Sequence, residues 1–415
     1  MISGSVKHGA WPQPTDFAAP PTSADLESWA EADRASRPRR LARLRARMDS
    51  AGVDGYFGVR REHIRYLTGF TLAETETSSA GDSGKFLVTG DEVRVLVDSR
   101  YAIQAGREAA DARRFECYHG LADRWPALLA EAGVRRVAVE AGLVSHALWQ
   151  RLTAAAPQVE LVAVEGWVEA DRQVKEPAEI ERIAAACAVA DRALASLLPS
   201  IRPGVTEMEL ALDLEWRMRT GGAEALAFDV TCLAGPEAAL PHGSPGERPV
   251  RTGAVLLFDF GAQVGGYRSD MTRTLFVGEP TARDLAVYET VVAAQMAAIE
   301  ALRAGLSASR HGVPLPDGRF IDGVARAMIE ADGRWQGFQH GLGHGIGLAT
   351  HELPSLGRNA APTPLPSPTV FSVEPGIYLE GETGVRIEDL IVLDAQAGRL
   401  DYLTLFPRDA IVVGT

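Results

Sequence analysis

Four carboxylates stand in segments that otherwise read as buried β-strand, and their placement restricts this 415-residue chain more than any other feature. In LLFDFGAQVGGYRSDMTRTLF (256–276) an apolar run reaches Asp259, a glycine-rich turn follows, and the returning run carries Asp270. A hairpin centred on Val264–Gly265 sets Asp259 directly opposite Asp270, with Cβ atoms about 5 Å apart. In FSVEPGIYLEGETGVRIEDLIVL (371–393) strands flanking Gly381 set Glu374 opposite Glu388. Alternation then puts Arg386 on the same face as Glu388. Like charges facing each other destabilise a sheet, and buried carboxylates without partners cost several kcal/mol each. A divalent cation between the strands removes that cost. An oxygen-dominated ligand set suits Mn²⁺ or a similar first-row ion better than structural zinc.

Between the two hairpins lies QHGLGHGIGLATHELP (339–354), with glycines at 341, 343, 345 and 347. So many glycines disfavour a regular helix, so His340 and His344 are not a helical metal pair. Glycine instead lets the backbone approach a crowded centre, with His340, His344 and His351 projecting into it. Upstream, AALPHGSPGERP holds His242 in a loop before the first acidic strand. Four of the nine histidines therefore gather around the two hairpins.

The length calls for two domains. Residues 1–36, with Pro12, Pro14, Pro20 and Pro21, read as a loose extension. Residues 37–170 read as an α/β domain, with strands at GYFGV, KFLVTG, VRVLVD and RRVAVE and helices at RYAIQAGREAA and SHALWQRLTAA. Residues 171–415 read as an α+β domain opened by a long helix from Pro177, its apolar stripe formed by Ile180, Ile183, Cys187, Leu194 and Leu198. Further helices are expected at 206–220 and 281–304, with strands at AVLLFDF, TVFSVEPGIYL and GVRIEDLIVL. No run of 18 apolar residues marks a membrane span, and the net charge of −13 argues against a nucleic-acid partner. Cys117, Cys187 and Cys232 are too few and scattered for a disulfide framework. The start of the chain lacks the order of a secretory signal, so a cytoplasmic location is expected. The three lysines (7, 85 and 175) against 39 arginines read as composition bias without functional weight.

Asp259, Asp270, His344, Glu374 and Glu388 match, in order, the five ligands of the pita-bread dinuclear metallopeptidases. YRSDMTRT, HGLGHGIGLATHELP, VEPGIY and GVRIED resemble the proline-specific branch, the Xaa-Pro aminopeptidases and Xaa-Pro dipeptidases. GVDGYFGVRREHIRYLTGF and VDSRYAIQAGREA resemble that family's creatinase-like N-terminal domain, so the likeness runs over residues 37–415. The resemblance implies a creatinase-like α/β domain followed by a pita-bread catalytic domain holding two divalent ions per chain, Mn²⁺ foremost, with Co²⁺ or Zn²⁺ as alternatives. It implies that Asp259 is a terminal ligand, that Asp270 and Glu388 bridge both ions, and that His344 and Glu374 complete the second ion's shell. Glu374 would also exchange protons with the attacking water. His242 and His351 would bond substrate and tetrahedral intermediate, His340 would line the pocket, and Tyr378 and Arg386 would support the ligands. The implied reaction is hydrolysis of the bond preceding proline in short peptides, by a homodimer or higher homo-oligomer with neither nucleic acid nor membrane as partner. In the family the N-terminal domain helps form the dimer and narrows the entrance. Three departures stand out: His63 where Asn or Asp is usual, Thr350 for an aliphatic residue, and Ser367-Pro368-Thr369 for a Gly-Met turn. A methionine aminopeptidase would lack the N-terminal domain. A metal-free creatinase-like hydrolase or a non-catalytic binding module would not retain all five ligands.

Overall fold

Residues 7–8, 11–73, 76, 80–118, 120–331 and 333–414 are described by the computed structural model. They form two units, Glu27–Asp171 and the residues up to Leu26 together with Arg172–Thr415.

The smaller unit is built on a six-stranded mixed sheet. Its order is Arg113–Glu116, Val93–Val97, Lys85–Thr89, Gly55–Gly58, Arg136–Glu140, Glu160–Val164. The inner strands are apolar on both faces because helices cover them: Phe57, Leu87, Leu96 and Val137 pack with Trp125, Leu128 and Leu152. The four expected strands are the inner four. The two edge strands, RRFE and ELVAV, are not among those expected; RRFE carries three charged residues of four, as edge strands commonly do.

The loose extension expected over residues 1–36 is corrected in part. Its first six residues and residues 9 and 10 lie outside the described set, but a 3-10 turn covers Pro14–Asp16 and a helix runs Ser23–Ala51. Thr22 and Asp25 cap that helix reciprocally, the Thr22 N–H donating to Asp25 and the Asp25 N–H to the Thr22 hydroxyl. Its first half lacks an apolar stripe, with Trp29 and Ser36 as its buried residues, and further along a buried arginine joins Leu44 and Met48 on the inner face. Arg40 donates to the Tyr66 carbonyl at 3.0 Å and lies 4.1 Å over the Tyr66 ring.

The larger unit holds two five-stranded sheets. One runs Lys7–His8, Ile411–Val413, Met271–Val277, Val255–Phe260, Thr231–Ala234; the other runs Glu352–Leu356, Gly343–Gly345, Thr369–Val373, Asp389–Asp394, Arg399–Tyr402. Helices Ala282–Ser309 and Gly318–Glu330 bury Val291, Ala298, Leu302 and Ile329 against Leu257, Phe276, Phe371 and Ile391 of the sheets. Each of these side chains larger than alanine contributes about 1.5–3 kcal/mol by leaving water. Two helices, Pro177–Ser200 and Ala282–Ser309, are long and apolar enough to cross a membrane. Here both turn apolar residues into the interior, among them Ile183, Cys187, Leu194 and Val291.

Both acidic hairpins form, one in a different register. The first turns at Gly265 and Gly266, with φ of 54° and 81°, and Val264 pairs with Tyr267. This is a two-residue turn with both central residues left-handed, which glycine alone adopts freely. Asp259 consequently faces Thr272, not Asp270. The slip is two residues, so both aspartates keep the same face and sit diagonally. The second hairpin has the expected alignment, with Thr369 against Leu393, Val373 against Asp389, Gly376 against Arg386 and Leu379 against Thr383. Its strands are interrupted where Glu374 and Glu388 fall, so each expected long strand becomes two short ones.

Glycine-rich segment 341–347 is no helix: Gly343–Gly345 is a strand between Glu352–Leu356 and Thr369–Val373. A Cβ on Gly343 would lie 1.9 Å from the Ser372 carbonyl oxygen. Gly343→Ala should therefore cost about 1–3 kcal/mol of stability through overpacking, read from denaturant unfolding. A parental midpoint would contradict this packing.

Candidate metal centre

The interruptions in the second hairpin are what free its two glutamates. Glu374 donates its backbone N–H across to the Leu342 carbonyl at 2.8 Å, and Glu388 donates to the Thr272 carbonyl at 3.1 Å. The carbonyls just before them, Val373 and Ile387, accept from the Gln295 side-chain amide at 3.1 and 3.3 Å. The Glu388 carbonyl accepts from Arg273 at 2.5 Å. These five backbone groups at the breaks keep hydrogen-bond partners, which lets two irregular strand ends remain buried.

Asp270, His344 and Glu388 offer ligand atoms that all lie within 4.8 Å of one another. The His344 Nδ1 sits 3.1 Å from the Gly345 carbonyl, a bond that requires its proton on Nδ1 and leaves the Nε2 lone pair free. That Nε2 lies 3.3 Å from Glu374 and 3.6 Å from Asp270. Ser372 donates to Glu374 at 3.1 Å, and Thr272 donates to Glu388 at 2.8 Å. Asp259 accepts from Arg386 through Oδ2 at 2.5 Å, while its buried Oδ1 has no hydrogen-bond partner among the described residues. All five expected ligands are thus brought to one place.

The charge density there is more than the protein compensates. Burial first, then the charges of Glu388, Asp259 and Glu374, push the Asp270 carboxyl well above its usual range. Burial and the charges of Glu374 and Asp259 do the same to Glu388. Glu374 is also raised, chiefly by burial. Divalent cations fit this donor set: oxygen-rich, joined by one imidazole nitrogen, and with an unpartnered carboxylate oxygen on Asp259.

The other expected residues surround the cage. Tyr378 accepts from Arg386 at 2.9 Å and is 2.9 Å from the His340 Nε2, so His340, Tyr378, Arg386 and Asp259 form one chain. Arg386 also donates to Thr272 at 2.9 Å. His351 is exposed, with its ring centroid 4.1 Å from that of His344. Partial desolvation of the ring face turned to the cage, then the neighbouring His344 and His242, lower its pKa to about 4, so the ring is neutral near pH 7. His242 is exposed on the turn after the 3-10 helix Gly235–Ala239, where Arg386 contacts the Pro241 carbonyl at 3.4 Å and Thr231 the Gly243 carbonyl at 3.3 Å. His63 is fully buried in the smaller unit, its Nδ1 2.6 Å from Glu140.

Four supporting residues escaped the reading of the sequence. Thr272 and Ser372 each hold a carboxylate. Asp322 and Arg326, paired at 2.6 Å on one helix, grip the next segment: Arg326 donates to the Phe338 carbonyl and, at 2.5 Å, to that of His340, while Asp322 accepts from the Leu342 N–H at 3.0 Å. Period-two alternation from Asp270 reaches Thr272 and would have found it; nothing local marks Arg326.

Residues 181–395 match the Metallopeptidase family M24, and residues 40–174 match the Creatinase/Prolidase N-terminal domain. An Xaa-Pro dipeptidase from Pyrococcus furiosus is 30% identical over 355 residues, which is 85% of this chain and 94% of that one. The structure of an Xaa-Pro dipeptidase from Bacillus anthracis has a TM-score of 0.81 at 32% identity, covering 91% of this chain and 100% of the other. That of an X-Pro aminopeptidase from Thermotoga maritima has a TM-score of 0.75 at 34% identity, covering 87% and 98%. The creatinase-like α/β domain and the pita-bread catalytic domain are both present. With the family M24 match spanning more than half of the chain, the chain belongs to the metallopeptidase family M24.

Proposed function

We propose that this metallopeptidase hydrolyses the bond preceding proline in short peptides, as an Xaa-Pro dipeptidase or aminopeptidase. The observation that carries this reading is the convergence of Asp270, His344 and Glu388, with Glu374 and Asp259 beside them, in a buried cage whose negative charge the protein leaves unbalanced. Relatives that share both domains carry the names Xaa-Pro dipeptidase and X-Pro aminopeptidase. A binding module or a metal-free hydrolase would have no use for five intact ligands.

Asp259, Asp270, His344, Glu374 and Glu388 would hold two divalent ions, Mn²⁺ by the hardness of the donors. Such ions polarise a carbonyl oxygen and bring the pKa of a bound water towards about 7. The chain's own groups do the rest. Glu374 accepts the proton of the attacking water and passes it to the departing proline nitrogen, which has no N–H of its own to offer an ordinary protease. The neutral His351, with His242, donates to the substrate carbonyl as its oxygen gains charge. Tyr378 and Arg386 hold Asp259 in place and keep His340 at the pocket wall. The same reading has the enzyme work as a cytoplasmic homodimer; three unpaired, buried cysteines are consistent with a reducing compartment.

Three outcomes test this. Asp270→Ala should retain the fold yet lose metal and abolish hydrolysis; full occupancy in that variant would refute the bridging role. His242→Ala should keep both ions and lose about 10²–10⁴-fold in kcat, the range for one acid–base group. Kinetics within about twofold of the parent, as surface substitutions give, would remove His242 from the mechanism. A series of Xaa-Pro, Xaa-Pro-Yaa and longer peptides, assayed with each metal, decides between dipeptidase and aminopeptidase. Cleavage of none of them, alongside cleavage of peptides lacking proline, would overturn the proposed specificity.

A further inference from the structure

His351 borders the metal centre, yet among the described contacts its imidazole has no hydrogen bond to fix it. Its two sequence neighbours are fixed instead. Thr350 is buried, accepts from Arg268 at 2.7 Å and donates to the Ala227 carbonyl at 3.1 Å. Arg268 reaches that carbonyl too, at 2.7 Å, and its backbone N–H donates to Gly347 at 2.9 Å. On the other side the Glu352 side chain is 4% exposed, and its carboxylate is gripped by Lys175 at 2.6 Å and by Arg172. That carboxylate fills the space beside Gly347, where a Cβ would lie 2.5 Å from Oε1. Thr350 and Glu352 thus turn inward, and the residue between them is turned outward.

Lys175 is set apart from the chain's other lysines. Lys7 and Lys85 have side chains 41% and 14% exposed, whereas that of Lys175 is 0% exposed. Its ammonium donates to Glu352 and to the Arg172 carbonyl, and its backbone N–H donates to the Pro368 carbonyl at 2.8 Å. Arg172 already brings a guanidinium to the other oxygen of Glu352. The compact ammonium on its flexible stem takes Oε1 while the Arg172 guanidinium takes Oε2, so the two cations share the carboxylate. Composition bias does not account for this lysine.

We propose that Lys175 is a positioning residue: through Glu352 it fixes the backbone at His351 and holds that imidazole over His344 at the rim of the metal centre. The inference rests on the proposed role of His351 in the reaction. The test is Lys175→Met, which keeps length and loses the ammonium, studied as the full metal-loaded chain by crystallography and by steady-state kinetics on an Xaa-Pro dipeptide. Metal content should equal the parent's, and the His351 ring should leave its 4.1 Å contact with His344. The kcat should fall about tenfold to a hundredfold, the penalty of misplacing a catalytic group by about 1 Å, with KM within about twofold. Adding Lys175→Met to His351→Ala should cost nothing further. An unmoved His351 ring in the variant, or losses that multiply in the double variant, would overturn the proposal. Should Lys175→Met fail to fold, Lys175→Met/Glu352→Gln removes both charges and is read the same way. If the parent cleaves no Xaa-Pro peptide, the functional reading fails by itself, and the ring position still decides for or against the role of Lys175.

Discussion

Repulsion among Asp259, Asp270, Glu374 and Glu388 is the interaction around which the larger unit is arranged. Two like charges about 4 Å apart interact by about 4 kcal/mol at an effective dielectric of about 20, and here Asp270 feels the charges of Glu388, Asp259 and Glu374, and Glu388 those of Glu374 and Asp259. Arg386 is the cation placed among them, and it is engaged with Asp259. The other carboxylates reach stability either by keeping protons, as the raised pKa of Asp270, Glu374 and Glu388 indicates, or by taking up divalent ions. A protein with a 5–15 kcal/mol net stability does not carry such a cluster without a counter-charge.

Holding the cluster requires irregular backbone in the middle of a sheet. Glu374 and Glu388 leave the ladder at one level, and their N–H groups bond outward to Leu342 and Thr272. Gln295, on a helix far along the chain, closes the gap by donating to the carbonyls that precede them. On the far side Arg273 donates to the Glu388 carbonyl and is paired at 2.6 Å with the fully buried Asp389. The cage therefore depends on residues from the helix packed behind it as much as on the strands that carry its ligands. The rigidity this gives is what a metal site needs if its ligands are to meet within a few tenths of an ångström.

Much of this was legible in the chain, and the failures have physical causes. The second hairpin could be aligned from Glu374 and Glu388 because one glycine, Gly381, marks its turn. The first was misaligned by two residues because Gly265 and Gly266 both accept positive φ, so the turn has no single centre in the sequence. Sidedness survived because the pleat repeats every two residues, so Asp259 and Asp270 still share a face. The breaks at the glutamates were invisible, since they follow from Gln295 and Leu342, residues distant in sequence. Helical spacing of Leu41, Leu44 and Met48 marks the second half of the helix Ser23–Ala51, while its first half, where Trp29 and Ser36 are the buried residues, carries no apolar stripe to show it. Arg326, Asp322 and Lys175 read as ordinary charges, and only their burial against specific carbonyls and carboxylates shows otherwise.

The central claim is that the four carboxylates form a cage for cations, and the direct measurement is calorimetric titration of the metal-stripped chain with Mn²⁺, followed by thermal unfolding at each stoichiometry. The account predicts about two ions bound per chain, protons released as Asp270, Glu374 and Glu388 are drawn into their charged form, and a rise in Tm that saturates with the second ion. No binding, with a Tm indifferent to Mn²⁺, Co²⁺ and Zn²⁺ alike, would contradict it.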